Sequence, residues 1–75
     1  MRVNVLYFAS LREQRGCSSE ALDLQPGLSL ADLYGELFGP NAAPVAFSLN
    51  QAICAGSVCP QEGDEIAFLP PLGGG

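Results

Sequence analysis

The chain has 75 residues, 48% hydrophobic and 15% charged, which suits one folded domain and leaves no room for a second. Eight carboxylates face three arginines, with no lysine and no histidine. That list excludes a basic patch for nucleic acid, attraction to an anionic membrane surface, a histidine general base and a lysine Schiff base.

Residues 2–8 read as a first strand, with Val3, Val5 and Tyr7 on one face and Asn4, Leu6 and Phe8 on the other. Both faces are largely apolar, so this strand is expected inside a sheet. Residues 9–15 predict a short helical turn, with Ser10 as N-cap, Glu13 three residues on, and Gly16 as the stop. Residues 21–24 alternate weakly and predict a second short strand, followed by a turn at Gln25-Pro26-Gly27. Ser29 caps a helix over residues 30–38, with Asp32 in its first turn. Leu30, Leu33, Tyr34, Leu37 and Phe38 fall at helical spacing and form one core-facing stripe, which Gly39-Pro40 ends. Residues 44–49 predict a third strand, Asn50-Gln51 a turn, residues 52–54 a short segment and residues 60–64 a polar turn. The last strand spans residues 65–69 and stops at Pro70-Pro71, which cannot donate to a ladder. This order predicts an α+β fold: one mixed sheet with one main helix packed across it, its first and last strands parallel neighbours.

Cys17, Cys54 and Cys59 fit no zinc spacing, and without histidine no closed metal site is expected. They read as reduced, partly buried thiols of a cytoplasmic protein, because no electropositive side chains flank them. The first strand is too short for a secretory leader.

The chain divides into a domain over residues 1–72 and a tail, Gly73-Gly74-Gly75. Independent draws at this composition, nine glycines in 75 residues, would end a chain in three of them roughly once in 600 sequences. Residues without a Cβ pass through narrow channels that bar other side chains. The prolines before them stiffen the exit and hold the tail clear of the domain. Such a tail presents its α-carboxylate to another protein's active site. If a partner adenylates that carboxylate with ATP and a sulfur donor then attacks, the product is a terminal thiocarboxylate.

With these features in hand, the chain resembles the ubiquitin-like small subunits of molybdopterin synthase nearly end to end. Val5-Leu6-Tyr7-Phe8-Ala9-Ser10-Leu11-Arg12-Glu13 is similar to that family's first strand and helix, and Leu49-Asn50-Gln51 to its Val-Asn-Gln turn. The most specific match is Glu62-Gly63-Asp64-Glu65-Ile66-Ala67-Phe68-Leu69-Pro70-Pro71-Leu72 followed by a terminal glycine pair. The resemblance implies a β-grasp (ubiquitin-like) fold and a sulfur carrier of molybdenum cofactor biosynthesis, itself non-catalytic. An E1-like adenylyltransferase would adenylate Gly75 with ATP and magnesium, so nucleotide binding falls to that partner and this chain holds no cofactor or metal. A sulfurtransferase would then supply sulfur. The large synthase subunit would receive the threaded Gly73, Gly74 and Gly75 and convert cyclic pyranopterin monophosphate to a dithiolene. By the same resemblance, Phe68, Leu69, Pro70, Pro71 and Leu72 form the docking segment, and Arg12 contacts the activating enzyme. Leu69 stands where the family often has an aromatic, and Gly73 where Thr, Ser or Ala is common. A thiamine-pathway sulfur carrier would share the fold and the activated glycine, although the double-proline segment favours the molybdenum branch. A tungsten-pathway carrier would look identical. A ubiquitin-like modifier stays open too, although a chain without lysine cannot build chains on itself. So does a binding module whose tail is incidental.

Overall fold

The alternation at the start of the chain forms strand β1 (Arg2–Tyr7), whose Val3, Val5 and Tyr7 are buried. The structure is a computed structural model and describes residues 1–71. β1 continues into helix α1 (Ala9–Arg15), and β2 (Ser19–Asp23) returns antiparallel beside β1. Helix α2 (Leu30–Phe38) follows, then the hairpin β3 (Ala46–Leu49) and β4 (Ala52–Cys54), then β5 (Glu65–Leu69). The sheet order is β2-β1-β5-β3-β4, with β1 and β5 parallel as their sequences predicted. Leu30, Leu33 and Tyr34 of α2 join the inward residues of the sheet in one core, which gives the mixed sheet and crossing helix of a β-grasp.

β1 lies inside the sheet, but its second face is not covered. Arg2 and Asn4 are exposed, Leu6 is half-buried and Phe8, just past the strand, is 43% exposed. β2 starts earlier than its own pattern suggested, because its bounds follow pairing with β1 from Leu6↔Ser19 to Arg2↔Asp23. β3 starts at Ala46, opposite Leu69 at the end of β5; Pro44 could not have donated to that ladder.

The predicted capping box on α1 does not form. The helix begins at Ala9, Phe8 occupies the cap position without a side-chain bond, and Ser10 already lies in the first turn. The Phe8 carbonyl accepts instead, from the N–H groups of Leu11 at 3.0 Å and Arg12 at 3.4 Å. At α2 the prediction holds: Ser29 Oγ accepts from the Asp32 N–H at 3.1 Å. The N–H groups of Leu30 and Ala31, which lack partners within the helix, donate to the carbonyls of Val58 and Gly56, each at 2.9 Å. That approach requires glycine, since a Cβ at Gly56 would lie 2.8 Å from the Phe47 ring.

Two polar clusters brace the thin core. Glu20 Oε1 accepts from the Tyr7 hydroxyl at 2.7 Å and from Arg15 Nη2 at 2.6 Å, tying the end of α1 to β1 and β2. Burial, and then Glu20, push the Tyr7 phenol well above its ordinary range, while Tyr7 and Arg15 hold the Glu20 carboxyl low.

The second cluster joins the β3–β4 turn to the start of β5. Asn50 and Gln51 have φ of 50° and 72°, the twist of a tight two-residue hairpin turn. Asn50 Nδ2 donates to Asp64 Oδ1 at 3.0 Å, and Asn50 Oδ1 accepts from the Glu65 N–H at 2.9 Å. The Gln61 N–H donates to the other oxygen of Asp64 at 2.8 Å. These bonds, with Asn50 first, hold the Asp64 carboxyl below its ordinary value. Its contribution to stability is therefore complete above the ordinary carboxylate range and is lost as pH falls through the lowered value. Asn50→Ala should cost about 1–2 kcal/mol in chemical denaturation. The same measurement below about pH 4 should show wild type losing stability more steeply than Asp64→Asn; parallel curves would contradict this role for Asp64.

Candidate functional site

Strand β5 carries the chain to its last described residues, and its two faces do different work. Ile66 and Phe68 point into the core, so Ala67 and Leu69 point to the open side of the sheet. Register extends that side across four strands. Leu6 on β1 lies opposite Ala67, Ala67 opposite Ser48 on β3, and Ser48 opposite Ile53 on β4. Ala67 and Ser48 are nearly inaccessible although they face outward, being short side chains between taller neighbours. One row further along, Leu69 lies opposite Ala46, and Phe8 extends β1 beside it.

The result is an apolar strip on the open face that leads to the exit of the tail. Phe8 at 43% and Ile53 at 68% are the large apolar side chains most exposed among the described residues. Phe8, Ala9, Leu69, Pro70 and Pro71 enclose a shallow apolar groove of about 400 Å³. Scattered apolar side chains on a surface need no explanation; the gathering of Phe8, Leu69, Pro70 and Pro71 around one groove makes it a candidate contact surface. On the other side of Pro70-Pro71 lies a more polar cleft of about 490 Å³ between α1 and the segment that follows α2.

Among the described residues no group of three His, Cys, Asp or Glu side chains could hold a metal. The cysteines are free: Cys17 and Cys54 are half-buried, and Cys59 is exposed, its Sγ donating to the carbonyls of Gly27 at 3.5 Å and Ser57 at 3.9 Å. Neither the groove nor the cleft is lined by an acid–base pair. Among the described residues no helix is long and apolar enough to cross a membrane.

The residues singled out from sequence divide unequally. Leu69 and Pro70 are half-buried and Pro71 is exposed, all at the rim of the groove. Phe68 is fully buried, with its ring centroid 5.1 Å from that of Tyr34 and 5.9 Å from that of Phe47, so it anchors the segment without facing a partner. Arg12 is exposed on α1 and pairs with no carboxylate among the described residues, whereas Arg2 pairs with Asp23 and Arg15 with Glu20. Leu72, Gly73, Gly74 and Gly75 lie outside the described residues. Sequence reasoning missed Leu6, Phe8, Ala46 and Ile53. The second face of the first strand is largely apolar too, a pattern that reads as burial, and nothing local marks it as open.

Residues 5–75 match the ThiS family. Over its full length the chain is 34% identical to the molybdopterin synthase sulfur carrier subunit of Chlamydomonas reinhardtii, all of which is covered. It is 32% identical over its full length to the subunit of the same name from Mycobacterium tuberculosis, 99% of which is covered. Among solved structures, a putative molybdopterin converting factor subunit 1 from Pyrococcus furiosus superposes with TM-score 0.80 at 24% identity, over 96% of this chain and 99% of that one. The small archaeal modifier protein 1 of Haloferax volcanii gives TM-score 0.79 at 21% identity, over 95% and 98%. A chain from the complex of subunits 1 and 2 of molybdopterin-converting factor of Helicobacter pylori gives 0.65 at 23%, over the whole of both chains. At these identities the structures establish the shared fold.

The division of labour along β5 has a direct consequence for stability. Phe68→Ala should destabilise the domain by about 3–5 kcal/mol, while Phe8→Ala should change it by less than about 1 kcal/mol. Thermal denaturation of the two variants checks this; equal losses would mean that Phe8 belongs to the core.

Proposed function

The chain belongs to the ThiS family, and from that premise we propose that it is the sulfur carrier subunit of a molybdopterin synthase, acting through the α-carboxylate of Gly75. The observation that carries this reading is identity of 34% over the full length of both chains with a subunit of that name. The structure supports it with an apolar groove formed by Phe8, Ala9, Leu69, Pro70 and Pro71, next in sequence to the tail.

In this account an E1-like enzyme binds the apolar strip and takes the tail into its active site. A carboxylate oxygen of Gly75 attacks the α-phosphorus of ATP, magnesium assists there, and pyrophosphate leaves. A persulfide on a sulfurtransferase then attacks the acyl carbon and AMP leaves. A thiol cleaves the resulting acyl disulfide by forming a disulfide with the donor's sulfur, so that a C–S bond stands where a C–O bond was. The loaded carrier next docks on the large synthase subunit, as the name of the Helicobacter pylori complex suggests for its own two chains. Gly73, Gly74 and Gly75 thread into that subunit, whose residues move the sulfur to cyclic pyranopterin monophosphate. Water restores the carboxylate, and two carriers serve each dithiolene.

One strip cannot hold both partners at once, so activation and donation alternate. The net charge of −5 favours partners with basic rims around an apolar centre, which steer approach and leave the apolar contact to set affinity. Leu69, Pro70, Pro71 and Leu72 lead from that contact into the tail, and Arg12 is placed to meet an acidic group on the activating enzyme. ATP-dependent loading and reduced cysteines fit a cytoplasmic site of action.

A second reading, a ubiquitin-like modifier joined through Gly75 to lysines of other proteins, draws on the likeness to the Haloferax volcanii modifier. It would use the same adenylation and differ in the nucleophile that follows. The full-length relatives favour the carrier.

Incubation with an E1-like enzyme, ATP and a sulfurtransferase should give an intact mass in which one C-terminal oxygen is replaced by sulfur. A carboxylate that stays unmodified would count against the carrier, and a mass increased by a whole protein would support the modifier. Deleting Gly75 should abolish loading and leave the melting temperature unchanged. Phe8→Asp should weaken binding to the large subunit at least tenfold by calorimetry, and unchanged affinity would remove the strip from the interface.

A further inference from the structure

The cleft beside Pro70-Pro71 has two unlike walls. One is α1, and the other is residues 39–45, which join α2 to β3 without regular structure. Pro70 and Pro71, the last described residues, also line the cleft. The second wall flanks the prolines again on their other side, where Pro44, Val45 and Ala46 form a groove with Leu69, Pro70 and Pro71. The path of the chain beyond Leu69 is thus bounded by a segment that no ladder holds.

That segment is fixed at two places. It enters through Gly39, whose φ of 93° and ψ of 166° lie in a region open essentially to glycine alone. Its far half is tied to the core by the Tyr34 hydroxyl, which donates to the Ala43 carbonyl at 2.6 Å. Tyr34 is itself held in place: it is buried on α2, with ring centroids 5.1 Å from both Phe38 and Phe68. The hydroxyl is therefore aimed by the same packing that anchors β5, and it transmits the position of the core to the wall.

We infer that Tyr34 is a positioning residue that, through the Ala43 carbonyl, fixes residues 39–45 as the wall directing the chain out of the body at Pro70-Pro71. This role rests on the carrier reading above. A tail that enters a partner's channel does so along one direction. If only a fraction of carriers point that way, the apparent affinity falls by that fraction, while the reaction of the bound tail is unchanged. Tyr34 touches no reacting atom and acts only on where the tail starts.

Tyr34→Phe keeps the ring packing and removes the hydroxyl. In steady-state adenylation by an E1-like enzyme, the variant should raise KM for the carrier about 3–10-fold and hold kcat within about twofold. Gly39→Ala disturbs the same wall from its other end and should shift KM in the same direction. Amide exchange of Tyr34→Phe should quicken at Ala42, whose N–H donates to the Gly39 carbonyl at 3.3 Å, and stay unchanged along β1 and β5, which separates a displaced wall from a loosened domain. Unchanged KM in both variants would overturn the inference, as would a fall in kcat accompanied by loss of protection throughout the sheet. Wild type that adenylates normally while Tyr34→Phe matches it overturns the positioning role alone. Wild type that is never adenylated overturns the carrier reading and this role together.

Discussion

β5 occupies the middle of the sheet, with β1 parallel on one side and β3 antiparallel on the other, and its side chains alternate without interruption. Phe68 points inward and is enclosed by the rings of Tyr34, Phe38 and Phe47. Ala67 and Leu69, its neighbours, point outward and build the strip on which a partner would rest. The rest of the structure depends on that two-residue period. One strand supplies the centre of the core, the centre of the apolar strip and the root of the tail, so the three cannot shift independently. A slip of a single residue would place Leu69 inside and Phe68 in solvent.

Hydrophobic patterning alone guards weakly against such a slip, because Ile66, Ala67, Phe68 and Leu69 are all apolar. The polar cluster at the strand's other end supplies what the pattern lacks. Asn50 bonds both to the Asp64 side chain and to the Glu65 backbone, at the point where β5 begins. It thereby fixes β5 against the β3–β4 hairpin, with Leu49 opposite Ile66 and Phe47 opposite Phe68. The two short motifs most characteristic of this chain before its tail, Leu49-Asn50-Gln51 and Gly63-Asp64-Glu65, are one physical unit. Their effect on function is indirect: they decide which side chains of β5 face a partner.

Much of the fold was legible in the sequence because local signals agreed with the tertiary outcome. The α2 stripe, its Ser29 cap and the proline stop after β5 each follow from a local rule, and each is observed. The failures came where pairing or connection outweighed local preference. β2 takes its length from β1, and α1 starts one residue before Ser10 because the chain passes straight from strand to helix at Phe8 and Ala9. The docking face was legible only in part. An apolar residue on a strand reads as core unless something tells that its face is left open, and no local pattern around Leu6, Phe8 or Ile53 does so. For the same reason Phe68 was assigned to the surface from its place in a motif, when its period puts it inside. Residues 39–45 carry no periodic signal, and their tie to Tyr34 becomes visible only once the chain is folded.

The proposed role joins the apolar strip on the body to the glycine tail as contact and cargo. The most direct test is single-turnover transfer from a carrier already bearing a thiocarboxylate at Gly75, mixed with the large synthase subunit and cyclic pyranopterin monophosphate. The account predicts that the carrier's sulfur is lost, its terminus returns to a carboxylate, and a dithiolene forms at two carriers per pterin. A carrier that retains its sulfur while the pterin stays unchanged would contradict it.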